Sequence, residues 1–134
     1  MKTVFVDTNV VLDVLLQHED FFVDSLKVFQ LAETGEIHAY VSASSMTDIF
    51  YIARKRLGIS VAREAMSRLL AIFRVVSVDG DDLKSALAVP IEDMEDALQM
   101  WCAEKISAVA LITRDIDGFP PASMTVVRPA DFKP

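Results

Sequence analysis

The chain has one cysteine, four glycines and two histidines in 134 residues. A lone Cys102 cannot close an internal disulfide, so the fold stands on its core alone, and a reducing compartment suits it. Cys102 sits in the apolar helical stretch Leu98–Glu104, where a buried thiol is expected. Neither a GxGxxG nor a Walker loop occurs, which excludes the common nucleotide cradles. His18 and His38 are isolated, so the usual zinc ligand sets are missing, and both are expected at surface or turn positions. No serine, cysteine or lysine has a base beside it that would make it a nucleophile. No apolar run approaches the roughly 20 residues that cross a bilayer. The first residues pair Lys2 with an early Asp7 and show no small-residue cleavage site. The expectation is a soluble cytoplasmic protein with no membrane contact. Basic residues are also short: 13 Lys and Arg stand against 20 Asp and Glu, a net charge of −7. That argues against a generally basic nucleic-acid surface. The objection weakens if several acids gather at one site, because bound cations would offset part of the charge.

What is present is apolar. Hydrophobic residues make up 52% of the chain. A domain of this size buries about 68% of its unfolded surface, enough for a core without staples. No linker, repeat or low-complexity tract divides residues 1–134, so one domain is expected. Strands are predicted at Thr3–Val6, His38–Val41, Val75–Val78, Ala108–Thr113 and Met124–Val127. Helices are predicted at Val10–Leu16 and Phe22–Glu33, through Met46 to Leu57 with Ser42, Ser44 and Ser45 as candidate caps, after Ser60 as a cap, at Asp81–Leu87 and at Glu92–Ile106. Gly35 and Gly58 mark helix ends. The helix after Ser60 is expected to bury Val61, Ala65, Met66, Leu69, Leu70 and Phe73. Strands alternating with helices imply a three-layer α/β/α fold around a central five-stranded, mostly parallel sheet. In such sheets the functional crevice lies beyond the carboxyl ends of the strands.

Aspartates fall at that rim. Asp7 ends the first strand, Asp115 follows the fourth by two residues, and Asp96 lies in the first turns of the helix that leads into the fourth. Asp48 and Asp96 are embedded in helices of apolar periodicity, where an isolated acid is costly. Each acid alone has an ordinary explanation: Asp7 as a helix cap, Asp93 as a complement to a helix dipole, Asp115 and Asp117 as turn residues. Jointly they are harder to dismiss. Carboxylates about 5 Å apart repel by roughly 3 kcal/mol per pair at an effective dielectric near 20. A hard divalent cation offsets that, and an all-oxygen set suits Mg²⁺ or Mn²⁺. The chemistry this favours is metal-assisted phosphodiester hydrolysis.

Four segments carry a resemblance: Val4-Phe-Val-Asp-Thr-Asn9, the stretch Ser42 to Lys55, Asp93-Met-Glu-Asp-Ala-Leu-Gln99, and Ile112-Thr-Arg-Asp-Ile-Asp-Gly-Phe119. In this order they resemble the motif series of the PIN-domain ribonucleases, most of all the VapC-type toxins of toxin–antitoxin pairs. The resemblance covers essentially the whole chain. It implies Mg²⁺- or Mn²⁺-dependent cleavage of RNA, homodimerisation and inhibition by a small antitoxin protein. It also implies that Asp7, Asp48, Asp96 and Asp115 are the catalytic, metal-holding acids. Asp48 stands where glutamate is common. Asp93 and Asp117 are alternative or assisting acids for Asp96 and Asp115. Thr8, Asn9 and Thr113 match polar residues that orient metal-bound water and carboxylates. Arg54, Lys55 and Arg56, with Arg114, are the candidate RNA-binding residues; the bland alternative for them is a solvated helix face. Two other readings compete. A catalytically inactive PIN-like domain that binds RNA or protein would lack one of the four acids, and none is missing. A receiver-like phosphoacceptor domain needs an acidic pair near the first strand and a late lysine, and Asp7 is followed by Thr8 and Asn9.

Overall fold

The computed structural model describes residues 2–134. The chain starts in the middle of its sheet. Strand β1 (Lys2–Val6) runs into helix α1 (Thr8–Leu15) and, after a turn, α2 (Phe22–Glu33). Then come β2 (Ile37–Ser42), α3 (Ala43–Leu57), α4 (Ile59–Ile72), β3 (Arg74–Val76), α5 (Gly80–Leu87), α6 (Met94–Lys105), β4 (Ala110–Ile112) and β5 (Thr125–Val127). The strand order is β3-β2-β1-β4-β5 and every pairing is parallel. The chain therefore walks outward from β1 to β3 and then returns to β4 on the other side of β1. This order reversal opens a crevice at the carboxyl ends of β1 and β4.

Strand alternation sorts the core into two layers. Val4, Val6, Ala110 and Ile112 face one cluster, which includes Val10 and Val11 of α1, Phe29 of α2, Met46 and Ile49 of α3 and Leu69 of α4. Phe5 and Leu111 face the other, with Ala86 of α5 and Ala97, Met100, Cys102 and Ala103 of α6. Helices cover both faces, as the sequence predicts. The Cys102 thiol is buried, and burial pushes its pKa up to about 11. Among the described residues no helix is long and apolar enough to cross a membrane.

Several local expectations need correction. Strands β3, β4 and β5 have three residues each, shorter than predicted. Their length is set by the partner: β4 pairs with β1 only from Val4 to Val6. Ser60 does not cap α4. Gly58, at φ +87°, turns the chain in the left-handed region and starts the helix at Ile59 with no side-chain cap. The buried face of α4 is also rotated. Ala62, Leu69 and Phe73 are buried, whereas Val61 and Leu70 are at least half exposed. The helix is apolar on more than one side, and periodicity cannot say which side meets the sheet.

One polar connection ties α5 to α6. Asp79 and Asp82 form a reciprocal capping box at the start of α5. The Asp82 carboxylate also accepts from Trp101 Nε1 at 3.0 Å and Lys105 Nζ at 2.9 Å. The Trp101 bond, then the Asp79 N–H, then Lys105 hold Asp82 well below the usual carboxylate range. An acid held low contributes stability above its ordinary pKa near 4 and loses it as pH falls below that. Asp82→Ala should therefore lower the melting temperature at neutral pH, and the gap from wild type should narrow below about pH 4. Thermal melts across that range check this; a gap that does not change with pH would contradict it.

Candidate active site

Asp7 is the first residue after the central strand, and only 5% of it is exposed. Its backbone N–H completes the β1–β4 ladder on Ile112 O at 2.9 Å. Its side chain caps α1, Oδ1 accepting from the Thr8 N–H at 2.8 Å. Three further donors converge on the carboxylate. Gln99 Nε2 reaches Oδ1 at 3.0 Å, Thr113 Oγ1 reaches Oδ2 at 2.8 Å and Asn9 Nδ2 reaches Oδ2 at 3.3 Å. A buried carboxylate with this many donors is held in one orientation. Thr113 also accepts the Asp115 N–H at 3.1 Å, so one hydroxyl links the carboxyl ends of β1 and β4.

A cleft of about 500 Å³ opens over Asp7. It is lined by Asp7, Thr8, Asn9, Asp48, Glu95 and Asp96 and walled by Leu12, Tyr51 and Ile52. Asp48 reaches it from the exposed side of α3. Glu95 and Asp96 reach it from the first turn of α6, whose positive end favours acids. Asp115 stands at the edge of this group. A methyl built on Gly118 would lie 3.0 Å from Asp115 Oδ2 and 3.6 Å from Asp96 Oδ2. Glycine at 118 thus leaves room for both carboxylates.

The expected acids are placed as follows. Asp7, Asp48 and Asp96 share the cleft, and Asp115 adjoins Asp96. Asp93 is the N-cap of α6 and accepts the Asp96 N–H at 2.9 Å. Asp117 is exposed in a 3-10 turn, Ile116–Gly118. Arg54, Lys55 and Arg56 form the exposed last turn of α3, and the Lys55 ammonium stands 4.6 Å over the Tyr51 ring. Arg114 is already engaged: its Nε donates to the buried Asp13 at 2.8 Å and its guanidinium stacks 4.3 Å from the Phe21 ring. The sequence reading missed Glu95, Gln99, Tyr51 and the Asp13–Arg114 pair. Gln99 had a signal, since a polar residue between Leu98 and Met100 is out of place on an apolar helix. The ion pair had none, because its partners lie far apart in the chain.

Crowding shows in the protonation of α6. Partial burial, then the charges of Asp93, Asp7, Glu95 and Asp115, push Asp96 up to about 6. Burial and the charges of Asp48, Asp7 and Asp93 also raise Glu95. Both shifts reflect burial first and the neighbouring negative charges second. Among the described residues no three acids stand together as a ready-made metal site. They ring the cleft instead of meeting at a point. The donor set is oxygen only, which fits a hard divalent cation and not a soft one. Asp7, Asp96, Asp115 and Asp48 are the side chains that would hold it.

The PIN domain family model matches residues 3–117, a span that contains every one of these acids. The chain belongs to the PIN domain family. Its fold is similar to that of VapBC2 from Rickettsia felis, solved with a DNA fragment from its promoter. The TM-score is 0.71 at 14% identity, over 94% of this chain and 98% of that one. A toxin–antitoxin complex from Klebsiella pneumoniae gives a TM-score of 0.69 at 20% identity, over 94% and 97%. VapC20 of Mycobacterium tuberculosis, a sarcin-ricin loop cleaving toxin, gives 0.64 at 17%, over 81% and 86%. At such identities the likeness is one of fold. No curated protein matches the sequence significantly.

The raised Asp96 makes this PIN domain's stability depend on pH in a definite direction. An acid whose folded pKa exceeds its unfolded value costs nothing below about 3.8; the cost grows as pH rises from there and is complete above about 6. Asp96→Asn should raise the melting temperature of the metal-free protein at neutral pH. The gain should fade as pH falls through that interval. A gain that is absent at neutral pH, or constant with pH, would show that Asp96 is not in a repulsive cluster.

Proposed function

We propose that this PIN domain is an endoribonuclease that hydrolyses RNA phosphodiester bonds with Mg²⁺ or Mn²⁺, and that it is the cytoplasmic toxin of a toxin–antitoxin pair. The observation that carries this reading is the gathering of Asp7, Asp48, Glu95 and Asp96 in one cleft, with Asp115 beside Asp96. Mutual repulsion there has no structural benefit, so a cation and a phosphate are its reasonable use. When bound, such a cation acts as a Lewis acid and lowers the pKa of water at the phosphate. The chain's own groups do the rest. Asp7 is fixed by its donors, so it needs no reorganisation when RNA arrives. Thr113 keeps the Asp115 backbone in register with Asp7. Tyr51 on the cleft wall offers a face on which a base can stack. Arg54, Lys55 and Arg56 supply the positive charge that a backbone phosphate requires in a protein of net −7.

A protein partner is supported by a second feature. A groove lined by Val14, Leu15, Phe29, Val61, Leu69 and Ile72, with Glu33, Glu64 and Arg68 also in its lining, lies among α1, α2 and α4 and shares no residue with the acidic cleft. Leu57, Ile59, Val61 and Leu70 are exposed beside it or on the same helix pair. A small antitoxin, or a second copy in a homodimer, is the occupant this reading assigns. One observation favours the rival reading of an inactive domain that binds RNA or protein: the acids do not already meet at one point.

Incubation with total RNA in EDTA, Mg²⁺ and Mn²⁺ separates the two. Loss of groups that merely support a metal costs about 10–100-fold, so loss of a ligand carboxylate should exceed about 100-fold. Asp7→Asn, Asp96→Asn and Asp115→Asn should each abolish cleavage while keeping the fold. Asp48→Asn should leave a residue of activity, and Asp93→Asn and Asp117→Asn should be milder. Full activity in the Asp7 and Asp96 variants would sink the assignment. Alanine at Arg54 and Lys55 should weaken RNA binding and reduce its salt slope by about 0.7 per lost phosphate contact. An unchanged slope would move the RNA path elsewhere.

A further inference from the structure

Gln99 is one of the most deeply buried polar side chains, 1% exposed, and it lies one turn beyond Asp96 on α6. Its amide joins three segments that each carry an acid. Nε2 donates to Asp7 Oδ1 at 3.0 Å and to Thr8 Oγ1 at 3.2 Å, while Oε1 accepts from Ser45 Oγ at 3.2 Å. Ser45 lies one turn before Asp48 on α3 and accepts from Thr8 Oγ1 at 2.8 Å. It also shares a 2.8 Å bond with Ser42, the N-cap of α3.

The direction of every bond is set by chemistry. An ionised Asp7 only accepts, so the amide nitrogen must face it and the amide oxygen must face Ser45. The Ser45 hydroxyl proton then goes to Gln99, which leaves Ser42 as donor to Ser45. Both amide protons, the Thr8 proton and the Ser45 proton are each used once, and every side-chain polar atom of this network has a partner. An aliphatic side chain at 99 would leave Asp7 Oδ1 with one donor and would cut the link from Ser45 to α6.

We infer that Gln99 is a positioning residue of the proposed site: it sets the orientation of Asp7 and locks α6 and α3, with Asp96 and Asp48, at fixed distances from it. The inference rests on the ribonuclease reading, and it concerns assembly of the site and not contact with RNA. It assigns Gln99 no proton transfer and no substrate contact, so its removal should change cation affinity and turnover and leave RNA binding alone.

Gln99→Met keeps the shape and removes the amide. Calorimetric titration of the RNA-free protein with Mn²⁺ should show its dissociation constant raised about tenfold or more, the scale for groups that orient a ligand. Turnover of RNA should fall with it while KM for RNA stays unchanged, the split expected when only the reacting geometry is lost. Ser45→Ala leaves the Asp7 contacts in place and removes the support of the amide oxygen, together with the Ser45 bonds to Thr8 and Ser42. It should move both quantities in the same direction by less, and it carries the comparison if Gln99→Met does not fold. An active wild type with both variants indistinguishable from it would overturn the inference and leave the ribonuclease reading standing. Raised KM with unchanged Mn²⁺ affinity would overturn it too. A wild type that neither binds Mn²⁺ nor cleaves RNA would overturn both.

Discussion

The structure is organised around one buried negative charge. Asp7 ends the central strand of a parallel sheet, where its carboxylate has almost no access to water. An ionised carboxylate in such a place is tolerated only with several donors. Three segments supply four of them: Thr8 and Asn9 at the start of α1, Thr113 after β4 and Gln99 on α6. The order of the strands explains why these segments can meet. Because β1 lies between β2 and β4, its carboxyl end adjoins the starts of α1 and α3 and the loop after β4. The interaction that satisfies Asp7 is therefore also the one that brings Asp48, Asp96 and Asp115 to the same rim.

That arrangement sets charge against charge. The capped N-terminus of α6 and the donors around Asp7 favour ionised acids, while partial burial and mutual repulsion oppose them at Asp96 and Glu95. The chain does not relieve the conflict with its own cations. Arg114, the nearest in sequence, is turned to Asp13 and Phe21, where it pins the loop after β4 to α1. Its backbone N–H, bonded to Asn9 Oδ1 at 3.3 Å, does the same from the main chain. Arg114 thus holds the site's scaffold, while Arg54, Lys55 and Arg56 stand exposed at the end of α3.

Much of this was legible before any coordinates. An apolar run ending at Asp7, and a second ending before Asp115, mark parallel strands with acids at one rim, because strand direction alone decides which end a residue occupies. Helix α2 is found at its predicted limits, since Phe22, Leu26 and Phe29 have a clean period and Gly35 ends it. What stayed hidden is what depends on partners distant in sequence. The lengths of β3, β4 and β5 follow from pairing. The exposed side of α4, with Val61 and Leu70, follows from how a helix with a wide apolar face docks. The role of Gln99 follows from an amide meeting Asp7 and Ser45 across three segments. The likeness to PIN-domain motifs named the acids and Thr8, Asn9 and Thr113 around them, but not Gln99.

The central claim is that the rim acids form one divalent-cation site. Anomalous diffraction from a crystal of the wild-type protein soaked in Mn²⁺ tests it without reference to any substrate. The account predicts a manganese peak in the cleft over Asp7, with oxygens of Asp7 and at least one of Asp96 and Asp115 at the roughly 2.0–2.2 Å expected of a small hard divalent ion. A cleft without a peak at saturating Mn²⁺, or manganese bound only at other acids of the surface, would contradict it.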